Sequence, residues 1–299
     1  MRTLLAFTQR SVRLFLRDKA TVFFSFLSTL ILVALYFLFI GKNYADGITA
    51  MVGGLLSDQA VYAVVYAQMM VGVLVLNSLS LSIGAFSLIA HDFERRRVDS
   101  FLLTPLRPAA LLLAYYAGGF LVSFVLNTFT WLLSLVLIGL VSGYWVSLGC
   151  ALAVTGILLF ASLVSCSLML LFTALVKSSA AIGTFSGVAG TFFGFLCGIY
   201  MPYELLGTGV QFFGSILPFT HITIWLKQIV LADAFAALRI PAAFHAPLLE
   251  GFSAHNIGIL GLQLPLSVAL LYTALIALAC LAFARHALHA RMKQVHASA

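Results

Sequence analysis

Six stretches of this chain contain no Asp, Glu, Lys or Arg: residues 21–40, 61–90, 109–141, 147–176, 180–200 and 264–284. A helix needs about 20 mostly apolar residues to cross the hydrocarbon core of a bilayer. One Lys, Arg or Asp at the centre of such a helix costs about 2.5–3.5 kcal/mol. Uncharged runs of this length therefore predict six transmembrane helices. A water-soluble alternative fails on composition, because 63% hydrophobic and 8% charged residues leave too few charges to cover a solvated surface. Intrinsic disorder fails on the same numbers, since it requires low hydrophobicity and high charge. The second, third and fourth stretches exceed the minimum and must tilt or project beyond the hydrocarbon.

The basic residues give the expected orientation. Placing the N-terminus in the cytoplasm puts Arg2, Arg10, Arg13, Arg17, Lys19, Arg95, Arg96, Arg97, Arg107, Lys177, Arg285, Arg291 and Lys293 inside, and only Lys42, Lys227 and Arg239 outside. This bias predicts both termini inside and an even number of spans, in the plasma membrane. A net charge of +7 does not point to nucleic acid, because the cations flank apolar runs. Residues 203–232 read as two short apolar pieces broken at Pro218, too short to span and expected to be re-entrant or interfacial.

Little room remains for catalysis. The longest cytoplasmic connection is 91–108, and residues 201–263 show no nucleophile, base or metal-ligand spacing. His221, His245 and His255 are scattered and expected at the surface or interface. Cys150, Cys166, Cys197 and Cys280 lie in apolar stretches at odd spacings, which suits packing and not a disulfide framework or zinc. No G-x-x-x-x-G-K-[S/T] loop exists, so this chain does not hydrolyse a nucleotide by that route. No acidic or histidine side chain lies inside a span, which disfavours an ion-coupled carrier.

Four features carry mechanism. Arg2, Gln9, Arg10, Arg13 and Arg17 share one helical arc and Leu4, Leu5, Val12, Phe15 and Leu16 lie opposite, predicting an interfacial amphipathic helix over 1–19. Residues 91–108 place charges (Asp92, Glu94, Arg95, Arg96, Asp99) beside apolar groups (Phe93, Phe101, Leu102, Leu103) before Thr104 and Pro105, a pattern suited to docking in a groove of another protein. Gly183, Gly187, Gly190, Gly194 and Gly198 are spaced 4, 3, 4 and 4 apart and form one stripe, for helix packing or for a sliding surface. Gln68, Asn77, Ser80, Asn127 and Thr130 are polar within spans. They are candidates for a translocation surface, with interhelical hydrogen bonding as the alternative.

In this order the pieces resemble the ABC-2-type permease family, the membrane subunits of ABC exporters. Arg13-Leu14-Phe15-Leu16-Arg17-Asp18-Lys19 before Val22-Phe23-Phe24-Ser25 resembles the family's interfacial helix and first span. Asp99-Ser100-Phe101-Leu102-Leu103-Thr104-Pro105 resembles its coupling helix. GTFFGFLCGIYMP at 190–202, followed by Val210-Gln211 and Leu217-Pro218-Phe219-Thr220-His221, resembles its fifth span and outer re-entrant hairpin. The sequence departs from the family at Leu205-Leu206-Gly207, where the usual proline is missing, and in a longer loop at 233–263. The resemblance implies one all-α transmembrane domain over 20–299, with 91–108 as the coupling helix and 201–263 as outer hairpin and loop. It implies two partners besides the lipid bilayer, a second permease subunit (identical or different) and an ATP-binding cassette ATPase. ATP and magnesium would sit on the ATPase, with no cofactor on this chain. The first, second and fifth spans would line an outward path for an amphiphile such as a drug, peptide antibiotic or lipid-linked molecule. A polysaccharide or glycolipid cargo, or lipid transport without an ATPase, are the competing readings.

Overall fold

The computed structural model describes residues 2–297 except 36–40, 53–54, 96, 99–107, 177, 261 and 263. The described residues are helical, apart from short connections and one isolated bridge between Ile259 and Leu262. In chain order the helices are α1 (Arg2–Arg17), α2 (Lys19–Leu35), α3 (Gly41–Val52), α4 (Asp58–Glu94), α5 (Pro108–Ser142), α6 (Leu148–Leu175) and α7 (Ser179–Leu196). They continue with α8 (Thr208–Ile216), α9 (Pro218–Ala237), α10 (His245–Gly251) and α11 (Leu266–Ala297), with single 3-10 turns at Tyr203–Leu205 and Ala242–Phe244.

Five of these helices, α4, α5, α6, α7 and α11, are long and apolar enough to cross a membrane. A sixth is added if the bent pair α8–α9 counts as one span. The expected first span falls on α2, which has 17 residues within the described part of the chain. Together with the composition this makes the protein a polytopic helical membrane protein.

Serines set where the long helices begin. Ser57, Ser147 and Ser178 are extended, and their hydroxyls accept the third N–H beyond them, from Ala60, Cys150 and Ala181. Helix α4 is the axis of the bundle. It is apolar all round, is buried along most of its length, and packs against α2, α3, α5, α6, α7 and α9. Close approach to its neighbours uses small residues: Ser78 meets Ser165 of α6 at 2.9 Å, and Ser82 meets Ser123 of α5 at 3.1 Å. The outward faces of α5 and α11 instead present Leu113, Leu132, Leu140, Leu271, Leu278 and Phe283, as lipid contact requires.

The two pieces joined at Pro218 are observed as α8 and α9, meeting at 89°. Proline at the first position of α9 starts that helix and prevents α8 from running into it. The second piece is longer than expected, at 20 residues, and is buried in the bundle against α4, α6 and α11. Helix α1 also differs from the simple two-faced picture. Its buried line is Thr8, Ser11 and Phe15, while Leu5 and Leu16 remain exposed. Ser11 lies where a Cβ on Gly118 of α5 would stand, so a small-residue contact seats α1 on that helix.

Candidate functional site

At one end of the bundle, where α4 finishes, a buried carboxylate gathers three elements. Asp92 is fully buried, and Arg10 of α1 meets it with both terminal nitrogens, at 3.0 and 3.2 Å. Tyr115 of α5 donates its hydroxyl to the same carboxylate at 2.7 Å, and Arg97 lies 3.5 Å from it. The two-pronged contact suits guanidinium and could not be made by lysine. Burial pulls the Arg10 pKa down, but the hydrogen bond and charge of Asp92 outweigh it and hold the group above its ordinary value. Arg13 and Arg17, grouped with Arg10 in the sequence pattern, are exposed.

Two residues further on, the Glu94 carboxylate reaches the start of α7. It accepts the Ser179 N–H and hydroxyl, both at 2.6 Å, and His91 lies 3.8 Å away. Arg95 closes α4 by donating its N–H to the His91 carbonyl, and Phe93 packs half-buried against the core. Asp92, expected on a docking surface, is thus spent internally on α1 and α5. Glu94, expected there too, is bonded to α7. Arg96, Asp99, Phe101, Leu102, Leu103, Thr104 and Pro105 lie outside the described residues.

Between α1–α2, α4 and α7 runs a cleft of about 770 Å³, whose walls include Ser80, Gly84 and Ser87 from α4 and Gly183, Ser186 and Gly190 from α7. The glycine stripe therefore divides. Gly183 and Gly190 have open space where a side chain would stand, whereas a Cβ on Gly194 would overlap the Tyr200 ring. Gly198 follows the helix end at φ +63, with the Gly198 and Ile199 N–H groups returning to the Phe195 and Gly194 carbonyls. That left-handed residue closes α7 and suits glycine.

Of Gln68, Asn77, Ser80, Asn127 and Thr130, it is Ser80 that borders the cleft. Asn77 instead accepts from Thr29 of α2 at 2.8 Å and donates to Asn127 at 3.1 Å and Thr130 at 3.0 Å, both on α5. All four are buried, so this group bonds helices together. Gln68 is buried as well, and its side-chain oxygen has no partner among the described residues. Thr29 had no signal in the sequence beyond being one hydroxyl in an apolar run.

The opposite end holds the polar groups of residues 201–263. Lys227 is 1% exposed and donates to the carbonyls of Gly198 at 3.0 Å and Phe252 at 2.8 Å. His221 is also buried, against the expectation of a surface position, and contacts the Ser215 carbonyl through Nε2 at 2.9 Å. His245 contacts the Ile240 carbonyl and stacks on Phe235, while His255 lies 3.4 Å from Glu204. Asp233 accepts the Tyr144 hydroxyl at 2.5 Å and both the N–H and hydroxyl of Ser147. Burial, with that hydrogen bond, raises the Tyr144 phenol above its usual range. An apolar pocket of about 390 Å³ lies between α3, Tyr200–Leu205 and α10. On its wall Tyr44 stacks on Phe252, and burial together with Glu204 pushes that phenol up to about 12. Among the described residues no three His, Cys, Asp or Glu side chains are grouped to hold a metal.

A search of curated proteins finds no match to the chain. Residues 2–231 match the family described as ABC-2 type transporter, from α1 through most of α9. Members of that family are transporter permeases that work with an ABC ATPase. The chain belongs to the ABC-2 type transporter family and is a membrane permease subunit of an ABC transporter.

Proposed function

We propose that this permease moves an amphiphile outward across the plasma membrane. Two permease subunits pair, and each takes its power from an ATPase that grips residues 91–108 as a coupling helix. ATP and magnesium belong to the ATPase, and no cofactor is assigned to this chain. The observation that carries the reading is the end of α4, bonded at once to α1, α5 and α7 through Asp92 and Glu94. A push on the adjoining segment reaches three elements through short, charge-assisted hydrogen bonds. The cleft, bordered by α2, α4 and α7, suits a path lined by the first, second and fifth spans. The 89° elbow before Pro218 favours reading α8–α9 as a re-entrant hairpin at the outer face. The excess of Lys and Arg favours a cytoplasmic position for both termini and for 91–108.

The test is charge reversal at Glu94 or Arg96, and Leu102→Asp, in the permease assembled with its ATPase. Each variant is expected to insert normally while ATP-dependent export of an amphiphilic dye collapses. Normal export in all three variants would remove 91–108 as the docking element.

A further inference from the structure

Helix α7 is held by a charged side chain at each tip. At its start the Glu94 carboxylate accepts two hydrogen bonds from Ser179. Just past its finish the Lys227 ammonium takes the Gly198 carbonyl. A helix carries partial positive charge at its N-terminus and partial negative charge at its C-terminus, so each side chain sits at the end that attracts it. Between the tips one face is packed, with Ile182 and Ala189 buried and Phe185 stacked on Phe172 of α6, and the other is open. Gly183 and Gly190 face open space along the cleft, and Val188, Phe192 and Phe195 are exposed.

The two attachments are unequal. Lys227 is buried and also holds the Phe252 carbonyl, so its end of α7 is fixed to the surrounding fold. Glu94 is one-third exposed and lies at the very end of α4. We infer that Glu94 is the positioning residue that drives α7. Displacement of the segment after α4 swings the Ser179 end across the cleft, and Lys227 keeps the Gly198 end as the pivot. This deepens the proposed function and rests on ATPase docking at 91–108.

The decisive variant is on α7, away from the docking segment. Ser179→Pro deletes both donors to Glu94 at once. Proline is tolerated at the first helical position, and Ser178 before it already has the extended ψ of 130° that a following proline requires. Ser179→Thr keeps both donors and is the conservative control, while Ser179→Ala removes the hydroxyl alone. The full chain is assembled with its ATPase in lipid vesicles, with spin labels on cysteines placed at Ser87 of α4 and Ser186 of α7. Both positions line the cleft, and the four native cysteines are buried. ATP is expected to shift the label separation in the unmodified chain and in Ser179→Thr, less in Ser179→Ala, and not in Ser179→Pro. Dye exported per ATP hydrolysed falls about tenfold in Ser179→Pro, as for loss of a hydrogen bond to a charged group. A shift that persists unchanged in both Ser179→Pro and Ser179→Ala overturns the role of Glu94 alone. No shift in the unmodified complex overturns the docking reading, and this inference with it.

Discussion

Asp92 shows how much one buried carboxylate can organise when its donors come from separate elements. Replacing it by Asn keeps the shape but leaves Arg10 facing a neutral group, and breaking a buried pair in this way costs about 3 kcal/mol. Arg10→Lys keeps the charge and loses the second prong, for which about 1 kcal/mol is expected. Hydrogen exchange over α1 checks both, with faster exchange in Asp92→Asn than in Arg10→Lys. Protection unchanged in both variants would mean that α1 is held by its buried line of Thr8, Ser11 and Phe15 and not by the ion pair. Asn77 poses a parallel question within the bundle. Hydrogen bonds between membrane helices average about 0.6 kcal/mol each, so losing three of them in Asn77→Ala should cost about 2 kcal/mol, and Thr29→Val about a third of that. Thermal unfolding in detergent distinguishes the two, and equal losses would contradict the shared network.

At the scale of the helix, the glycine stripe of α7 is predicted to respond in opposite directions along its length. Gly183→Ala and Gly190→Ala add a methyl group in open space and reduce the backbone freedom of the unfolded chain, so each should stabilise by about 0.5–1 kcal/mol. Gly194→Ala drives a methyl group into the Tyr200 ring and should destabilise by about 1–3 kcal/mol. Melting temperatures of the three variants test this, and a uniform sign would show the stripe to be one continuous packing face. The elements themselves were legible because their signals are local. A proline in an apolar run marks the elbow at Leu217, and long charge-free runs mark α4, α5, α6, α7 and α11. The bonds that complete the site were not legible. Glu94 and Ser179 stand 85 residues apart and Arg10 and Asp92 stand 82 apart, and no periodicity links them. Lys227 reads as an outer-loop cation because a sequence carries charge but not depth. Its burial depends on two backbone carbonyls, and any residue type can supply those.

At the scale of the whole molecule, the orientation predicted from the Lys and Arg bias is checked by one measurement. Cysteines placed at Lys42 and Arg97 are predicted to label from opposite sides of intact cells with a membrane-impermeant reagent, Lys42 from outside and Arg97 only after permeabilisation. The reverse pattern would invert the molecule and move 91–108 away from any cytoplasmic ATPase. The exposed apolar faces of α5 and α11 fit immersion in lipid on either orientation. The contacts of Asp233 add a mechanical consequence. That carboxylate stitches the tail of α9 to the turn between α5 and α6, across 89 residues to Tyr144 and 86 to Ser147. A rim laced in this way resists splaying, as the sprung end of a clothes-peg does, so the tail of α9 and the α5–α6 turn travel as one piece.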